Sequence, residues 1–183
     1  MPAGALCGHC HRAPPPFAHT VTAFAYAFPV DRLLQRLKYA GALPLAHWAG
    51  HALAHAVLDA HRLEPLPDLV AALPLTAGRQ RERGFNQAQE IAREVASAVG
   101  RPLAAVLIRS GASLPQAALP WTARLANVHG VFACTGHVAG QRVAVIDDVM
   151  TTGATLAEAA RTLLRGGAAE VHAWVVARTL PPA

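Results

Sequence analysis

From residue 68 onward, short apolar runs alternate with amphipathic segments, and this alternation limits the folds open to the chain. Strands separated by helices form mostly parallel sheets. The sequence therefore predicts an α/β domain whose ligands lie beyond the carboxyl ends of the strands. Four runs have the length and composition of buried strands: Leu69–Leu73, Leu103–Ile108, Val143–Ile146 and Val171–Ala177.

The segment of about residues 20–60 has a different pattern. Thr20–Tyr26 alternates loosely and predicts an edge strand, and helices are predicted over Val30–Tyr39 and Leu45–Ala60. The uncharged run from Lys38 to Asp59 is as long as a membrane span, but proline, glycines and histidines interrupt it. We expect no membrane contact, and because no signal peptide is visible, a cytoplasmic location.

Composition is compatible with a packed core, and the charge is basic. The chain has 183 residues, of which 53% are hydrophobic, and its formal net charge is +5. Arginine supplies all but one of the cationic residues, which suits phosphate contacts or reflects a compositional bias equally well. Aromatic residues are only 5%, so a stacking platform for single strands is not evident. Five arginines could instead bind a nucleic-acid backbone: Arg62, Arg101, Arg142, Arg161 and Arg165.

The segment at residues 147–155 has the properties of an anion-binding turn. Asp147 and Asp148 follow a buried strand, and a threonine-rich turn containing Gly153 leads into a helix. Free amides and the positive dipole end at a helix start attract a phosphate, and glycine lets the backbone approach it closely. Since the two carboxylates would repel that phosphate, they should face sugar hydroxyls or a hydrated cation.

Two other interpretations account for less of this segment. A capped helix start, with Thr155 and Glu158 forming a capping box, explains those two residues but not the adjacent carboxylates. The acid pair of a phospho-acceptor domain would lie near the first strand, whereas here little of the chain follows it.

The segment from Asp147 to Thr155 resembles the signature loop of type I phosphoribosyltransferases. The resemblance implies that Asp147 and Asp148 hold the ribose of 5-phosphoribosyl-1-pyrophosphate (PRPP) and that Thr151–Thr155 hold its 5′-phosphate. It also implies bound Mg²⁺. The donor-binding residues are then those of the whole loop: Asp147, Asp148, Val149, Met150, Thr151, Thr152, Gly153, Ala154 and Thr155.

A second segment follows the first predicted strand of the α/β region. Gly78 permits an unusual turn there, and three arginines precede a helix predicted to begin near Gly84, which suits pyrophosphate or a solvated face equally well. The segment from Arg79 to Ala88 resembles the ComF/GntX group of competence-associated phosphoribosyltransferase-like proteins, and this likeness covers about residues 17–178. It implies a pyrophosphate loop of Leu75, Thr76, Ala77, Gly78 and Arg79.

The same resemblance assigns the remaining parts of the domain. Residues 20–60 form a small helical hood on a type I phosphoribosyltransferase-like domain of residues 20–183, and residues 110–124 form a mobile loop with Gln116 and Arg124 as closed-state contacts. Lys38 and Arg79 are candidates for stabilising departing pyrophosphate, beside Asp147 and Asp148. The implied activity is phosphoribosyl transfer to an unknown base or amine. The alternative is an accessory protein that binds PRPP and single-stranded DNA during DNA uptake.

Two groups of residues resemble metal ligands. Cys7 and Cys10 have the spacing of half a zinc site, and the family resemblance implies that residues 1–19 are a partial zinc ribbon, so zinc is a further candidate cofactor. His47, His51 and His55 recur every fourth residue and lie on one helix face. For these we favour a polar stripe over a metal site.

Overall fold

A computed structural model describes residues 14–109 and 130–179. The helix predicted before Gly100 begins where the Asn86 side chain accepts a hydrogen bond from the Ala88 amide, and it ends at the left-handed Gly100. The strands are β1 (His19–Ala25), β2 (Leu69–Ala72), β3 (Leu107–Arg109), β4 (Phe132–Cys134), β5 (Arg142–Met150) and β6 (Glu170–Arg178). The helices are α1 (Val30–Ala40), α2 (Pro44–Ala60), α3 (Ala77–Arg83), α4 (Gln87–Val99) and α5 (Ala154–Arg165).

Four strands form one parallel sheet in the order β1-β6-β5-β2. The two longest strands, β5 and β6, lie at its centre, and β6 is buried along nearly its whole length. β1 lies at one edge, as the sequence predicts for residues 20–26. The predicted fold class, a mostly parallel sheet flanked by helices, is confirmed.

Helices cover both faces of the sheet. On one face, Val143 and Val145 of β5 pack against Leu156 and Leu163 of α5. On the other face, Ala144, Ile146 and the fully buried Trp174 pack against α1, α2 and α4. Alternate residues of β5 therefore belong to different cores, which is the arrangement expected of a strand buried on both sides.

Helices α2 and α4 approach each other most closely at Gly50. A Cβ atom at this position would overlap the Cβ of Glu94 on α4. On the outer face of α2, the side chains of His47, His51 and His55 are exposed, as predicted for a polar stripe. Glu94 also faces this stripe, since its Oε2 lies 2.8 Å from Nδ1 of His47.

The strand predicted over Leu103–Ile108 is wrong in extent and in pairing. Its pairing with the main sheet is a single parallel bridge between Leu103 and Val70, made by hydrogen bonds from the Val70 amide to Pro102 and from the Ala104 amide to Val70. The regular strand is β3, which pairs with β4 in antiparallel fashion outside that sheet. The chain thus leaves the sheet after one bridge, because the next partner of this apolar run comes from a distant segment.

The segment predicted as a helical hood, about residues 20–60, contributes both a strand and helices to the main domain. It supplies β1 to the main sheet, while α2 packs against α4, β1 and β6. No helix within residues 14–109 and 130–179 combines the length and apolar character that a bilayer crossing requires.

Candidate functional site

An open cleft lies at the carboxyl end of β5, where the sheet topology predicts ligand binding. Its empty volume is about 220 Å³. The cleft is lined by the end of β5 and the start of α5: Asp147, Val149, Met150, Thr151, Thr152, Gly153, Ala154, Thr155 and Leu156. All residues of the predicted loop at 147–155 except Asp148 therefore line one space. Leu156 also lines it, although the sequence did not predict this residue.

The turn into α5 depends on Gly153. This residue caps the helix with φ of 77°, a left-handed conformation that side chains disfavour. An added Cβ would also lie 3.1 Å from the Cε of Met150. The Thr152 hydroxyl accepts a hydrogen bond from the Ala154 amide at 3.1 Å, whereas the amides of Thr155 and Leu156 have no acceptor among the described residues. The helix start thus presents unpaired donors to the cleft.

Asp147 contributes the carboxylate of the cleft. It is partly buried, and its Oδ1 accepts a hydrogen bond from the Asp148 amide at 2.8 Å. Burial and the adjacent negative charge of Asp148 raise the pKa of Asp147 well above its ordinary value. A cation or hydroxyl donors placed beside this carboxylate would relieve the cost of its charge.

Asp148 has a different environment. Its side chain is buried, and its Oδ2 lies 2.6 Å from Nζ of Lys38 at the end of α1. Its Oδ1 accepts a hydrogen bond from the Val149 amide. Hence the structure brings Lys38 to the site as an ion-pair partner of Asp148. Of the two predicted carboxylates, only that of Asp147 lines the cleft.

The predicted pyrophosphate loop follows β2. Thr76 caps α3 by accepting a hydrogen bond from the Arg79 amide at 3.2 Å, and Gly78 lies in the first turn of this helix, without the unusual conformation that the sequence suggested. Leu75 is partly buried, while Ala77, Gly78 and Arg79 are exposed. The segment therefore offers the Arg79 side chain to solvent on an ordinary helical turn.

The three arginines of this segment do not act as one cluster. They lie within α3, a short helix ending at Gly84 that the sequence did not predict, and the predicted helix, α4, begins just after it at Gln87. The Arg83 guanidinium stacks over the Tyr39 ring at 5.3 Å and donates to the Gln87 side chain. This arginine connects α3 to α1 and α4.

Two side chains near the site were missed by sequence reasoning. Arg109 is the last residue of β3, and its guanidinium stacks over the Phe132 ring. Burial and the positive charge of Arg79 lower the pKa of Arg109, whereas the negative charge of Asp147 opposes this shift. Asn86 donates from Nδ2 to the Leu73 carbonyl, which fixes the end of β2 against α4. An Asn before a helical run signals a cap, but no local pattern signals Arg109, because its approach depends on tertiary packing.

Glu158 does not form the capping box considered above. It is buried within α5 and accepts hydrogen bonds from the Gly130 amide at 2.9 Å and from Arg161 at 3.1 Å. Arg165 is a further ion-pair partner, and Thr155 is left for the cleft.

The arginines proposed for nucleic-acid contact are mostly paired with acids. Arg62 pairs with Asp59, and Arg142 with Asp68. Arg161 and Arg165 both pair with Glu158, as described above. The remaining predicted residues, Cys7, Cys10, Gln116 and Arg124, lie outside the described part of the chain.

Comparison with known proteins shows the family of the chain. A family model described as "Phosphoribosyl transferase domain" matches residues 82–180, a range that includes the whole turn at 147–155 but neither Lys38 nor Arg79. A DNA utilization protein, YhgH of Salmonella typhi, is 35% identical over 177 residues, which cover 95% of this chain and 78% of that protein.

Two further relatives extend this comparison. Competence protein F of Haemophilus influenzae is 30% identical over 178 residues, covering 94% of this chain and 78% of that protein. Among solved structures, a glutamine PRPP amidotransferase from B. subtilis, complexed with ADP and GMP, is 23% identical. It matches with a TM-score of 0.48 over 71% of this chain and 25% of that one.

Proposed function

The chain belongs to the phosphoribosyl transferase domain family, in its ComF group, and we propose that its turn at residues 147–155 binds PRPP for transfer of the phosphoribosyl group to a base or amine. The observation that supports this most strongly is the cleft after β5. It combines unpaired helix-start amides, threonine hydroxyls and one carboxylate in a single space.

In this proposal the 5′-phosphate lies at the start of α5. The unpaired amides of Thr155 and Leu156 and the α5 dipole suit an anion. The hydroxyls of Thr151 and Thr155 add donors at the same place. Gly153 keeps side-chain atoms away from the phosphate oxygens, so that the backbone itself is the binding surface.

The ribose and a magnesium ion are assigned to Asp147. Mg²⁺ prefers oxygen ligands and is usually held by one or two carboxylates together with substrate phosphates. Asp147 fits this role because its carboxylate lines the cleft and its charge is poorly stabilised there. When bound, the ion would neutralise charge on departing pyrophosphate. Asp148, already neutralised by Lys38, would orient the strand end.

Arg79 is proposed to contact the pyrophosphate. Its exposed side chain is free to move toward a ligand, and both its charge and that of Asp147 act on the Arg109 guanidinium. A guanidinium at this position stabilises negative charge that grows on the leaving group as the glycosidic bond breaks. The residues of the chain thus orient the donor and stabilise its leaving group.

Calorimetric titration with PRPP and Mg²⁺ tests the binding step. We expect Asp147→Asn, which keeps the shape of the side chain, to weaken PRPP binding by about tenfold or more, since hydrogen bonds to charged groups contribute about 1.5–3 kcal/mol. Asp59→Asn, at an exposed acid beside Arg62, is the matched control and should bind as the parent does. Equal affinity in both variants would refute the site.

Turnover is tested separately, by pyrophosphate release across a panel of bases and amines. Release that depends on one acceptor and disappears in Asp147→Asn supports an enzyme. PRPP binding without release on any acceptor favours the second candidate function, an accessory role in DNA uptake.

That second candidate is favoured by the names of the relatives, a DNA utilization protein and a competence protein. The net charge of +5 permits contact with a nucleic-acid backbone. Binding to a single-stranded oligonucleotide should weaken steeply as salt rises, and fluorescence anisotropy at two salt concentrations measures this. Undetectable or salt-insensitive binding excludes the candidate.

A further inference from the structure

Three potential metal ligands meet at the amino ends of β1 and β6, at the opposite end of the sheet from the cleft. His19 and His172 are direct partners in the parallel register of these strands. Glu170 lies two residues before His172 and therefore on the same side of β6. One ligand atom from each of the three side chains lies within 4.8 Å of the other two.

We propose that His19, Glu170 and His172 bind a divalent metal ion of the zinc type. Two imidazoles and one carboxylate are a ligand set that binds zinc with a fourth position left for water. Glu170 lies between the histidines, since its Oε1 is 2.6 Å from Nε2 of His172 and 3.8 Å from Nε2 of His19. Tetrahedral zinc places its ligand atoms roughly 3.3 Å apart, so small side-chain rotations suffice.

The burial of His172 supports a ligand at this place. His172 is 3% exposed, on the apolar sheet face that also carries Trp174, and its Nδ1 has no hydrogen-bond partner among the described residues. His61, 9% exposed and likewise without a partner for Nδ1, stacks on the His172 ring with centroids 5.3 Å apart. The nitrogen that faces Glu170 is Nε2, so packing of the buried ring holds this atom toward the proposed ion.

Access from solvent also suits an ion. The side chains of His19 and Glu170 are 49% and 37% exposed, so an ion can enter from solvent. The site is independent of the proposed PRPP site, from which it is separated by the length of the central strands.

A second group of similar composition, His47, His51 and Glu94, provides the comparison that a test requires. Both histidines are exposed on the outer face of α2. Both groups contain a short imidazole–carboxylate contact, 2.8 Å between His47 and Glu94 and 2.6 Å between His172 and Glu170. They differ in burial, because His172 is buried whereas neither His47 nor His51 is.

The test is calorimetric titration of the chelator-treated full chain with Zn²⁺, in a Cys7→Ser/Cys10→Ser background that removes the two thiols of the predicted N-terminal zinc site. We expect one ion to bind. His19→Ala and Glu170→Gln, both at half-exposed positions that folding should tolerate, are expected to weaken binding by at least about tenfold, the effect seen when even supporting groups of metal sites are lost. His47→Ala/His51→Ala should bind as the background does.

Two results would overturn the proposal. One is absence of Zn²⁺ binding by the background protein when circular dichroism shows it folded. The other is unchanged affinity in both His19→Ala and Glu170→Gln, whether or not the His47→Ala/His51→Ala variant loses binding.

Discussion

The turns after β5 and β2 are both predicted to contact the same donor, but they are built differently. The ion pair between Lys38 and the buried Asp148 carboxylate supports the β5 turn. The binding surface of this turn is backbone, whose conformation depends on Gly153. The β2 turn is an ordinary capped helix start that offers the exposed Arg79 side chain. The comparison indicates that one turn is preformed, whereas the other acts through a charge that adapts to the ligand.

The largest expected effect concerns the support of the β5 turn. Lys38→Met leaves the Asp148 carboxylate buried without its partner, and such losses cost about 3–5 kcal/mol. Because Lys38 is 20% exposed, we expect a value near the lower end of that range in urea unfolding. Lys38→Met/Asp148→Asn should recover most of the loss. Arg79→Met, the matched change in the β2 turn, should alter the free energy of unfolding little.

Two glycines with nearly equal backbone angles, Gly153 in the β5 turn and Gly84 at the far end of α3, separate backbone strain from an effect on the cleft. Gly153 and Gly84 have φ of 77° and 76°, so an alanine at either position carries a strain of about 1–2 kcal/mol. Only Gly153→Ala also places a methyl 3.1 Å from Met150, at the cleft. We expect both variants to lower the free energy of unfolding, but only Gly153→Ala to weaken PRPP binding.

The contradicting result is equally clear. If Gly84→Ala weakens PRPP binding as much as Gly153→Ala does at matched stability, the β5 turn is not the preformed part of the site.

A smaller effect is expected from the charge in the β2 turn. Arg79→Gln should weaken PRPP binding by about tenfold, the lower limit for a charge-assisted contact, while ribose 5-phosphate, which lacks pyrophosphate, binds as before. Arg81→Gln on the same helix is the control. Competition calorimetry with both ligands separates the two contacts, and equal loss for PRPP and ribose 5-phosphate would argue against Arg79 as a pyrophosphate contact.

The smallest effect is a dependence of stability on pH. Because the folded-state pKa of Asp147 is raised, ionising this group destabilises the fold as pH rises above its ordinary value of 3.8. Asp147→Asn removes that cost, so at neutral pH the variant should melt at a higher temperature than the parent. The difference should shrink as pH falls toward the ordinary value. A constant difference at every pH would show that the carboxylate charge is not its cause.

Local patterns in the sequence predict the β5 turn well and the contacts around it poorly. The strand, the glycine and the helix start are adjacent in the chain, so periodicity and turn chemistry reveal them. The Lys38–Asp148 pair and the approach of Arg109 join distant segments, and no spacing encodes them. The same reason explains the wrong strand at Leu103–Ile108, whose partner β4 lies far along the chain.

Glu158 and the histidines illustrate a second limit. Three residues after Thr155, Glu158 has the spacing of a capping box, yet the fold buries it as the acceptor for Gly130 and two arginines. His19 and His172 are ordinary strand residues until the register of β1 on β6 places them together. Register depends on the packing of whole faces, which single-residue patterns do not specify.

The missing side chain at Gly50 has a consequence for how this protein can diverge. Neighbouring turns of α2 present exposed histidines that many polar residues could replace without penalty. At position 50, any larger residue would force α4 outward and open the seam between the two helices. Substitutions should therefore accumulate readily at the exposed histidine positions of α2. They should be very rare at position 50, where the two backbones meet.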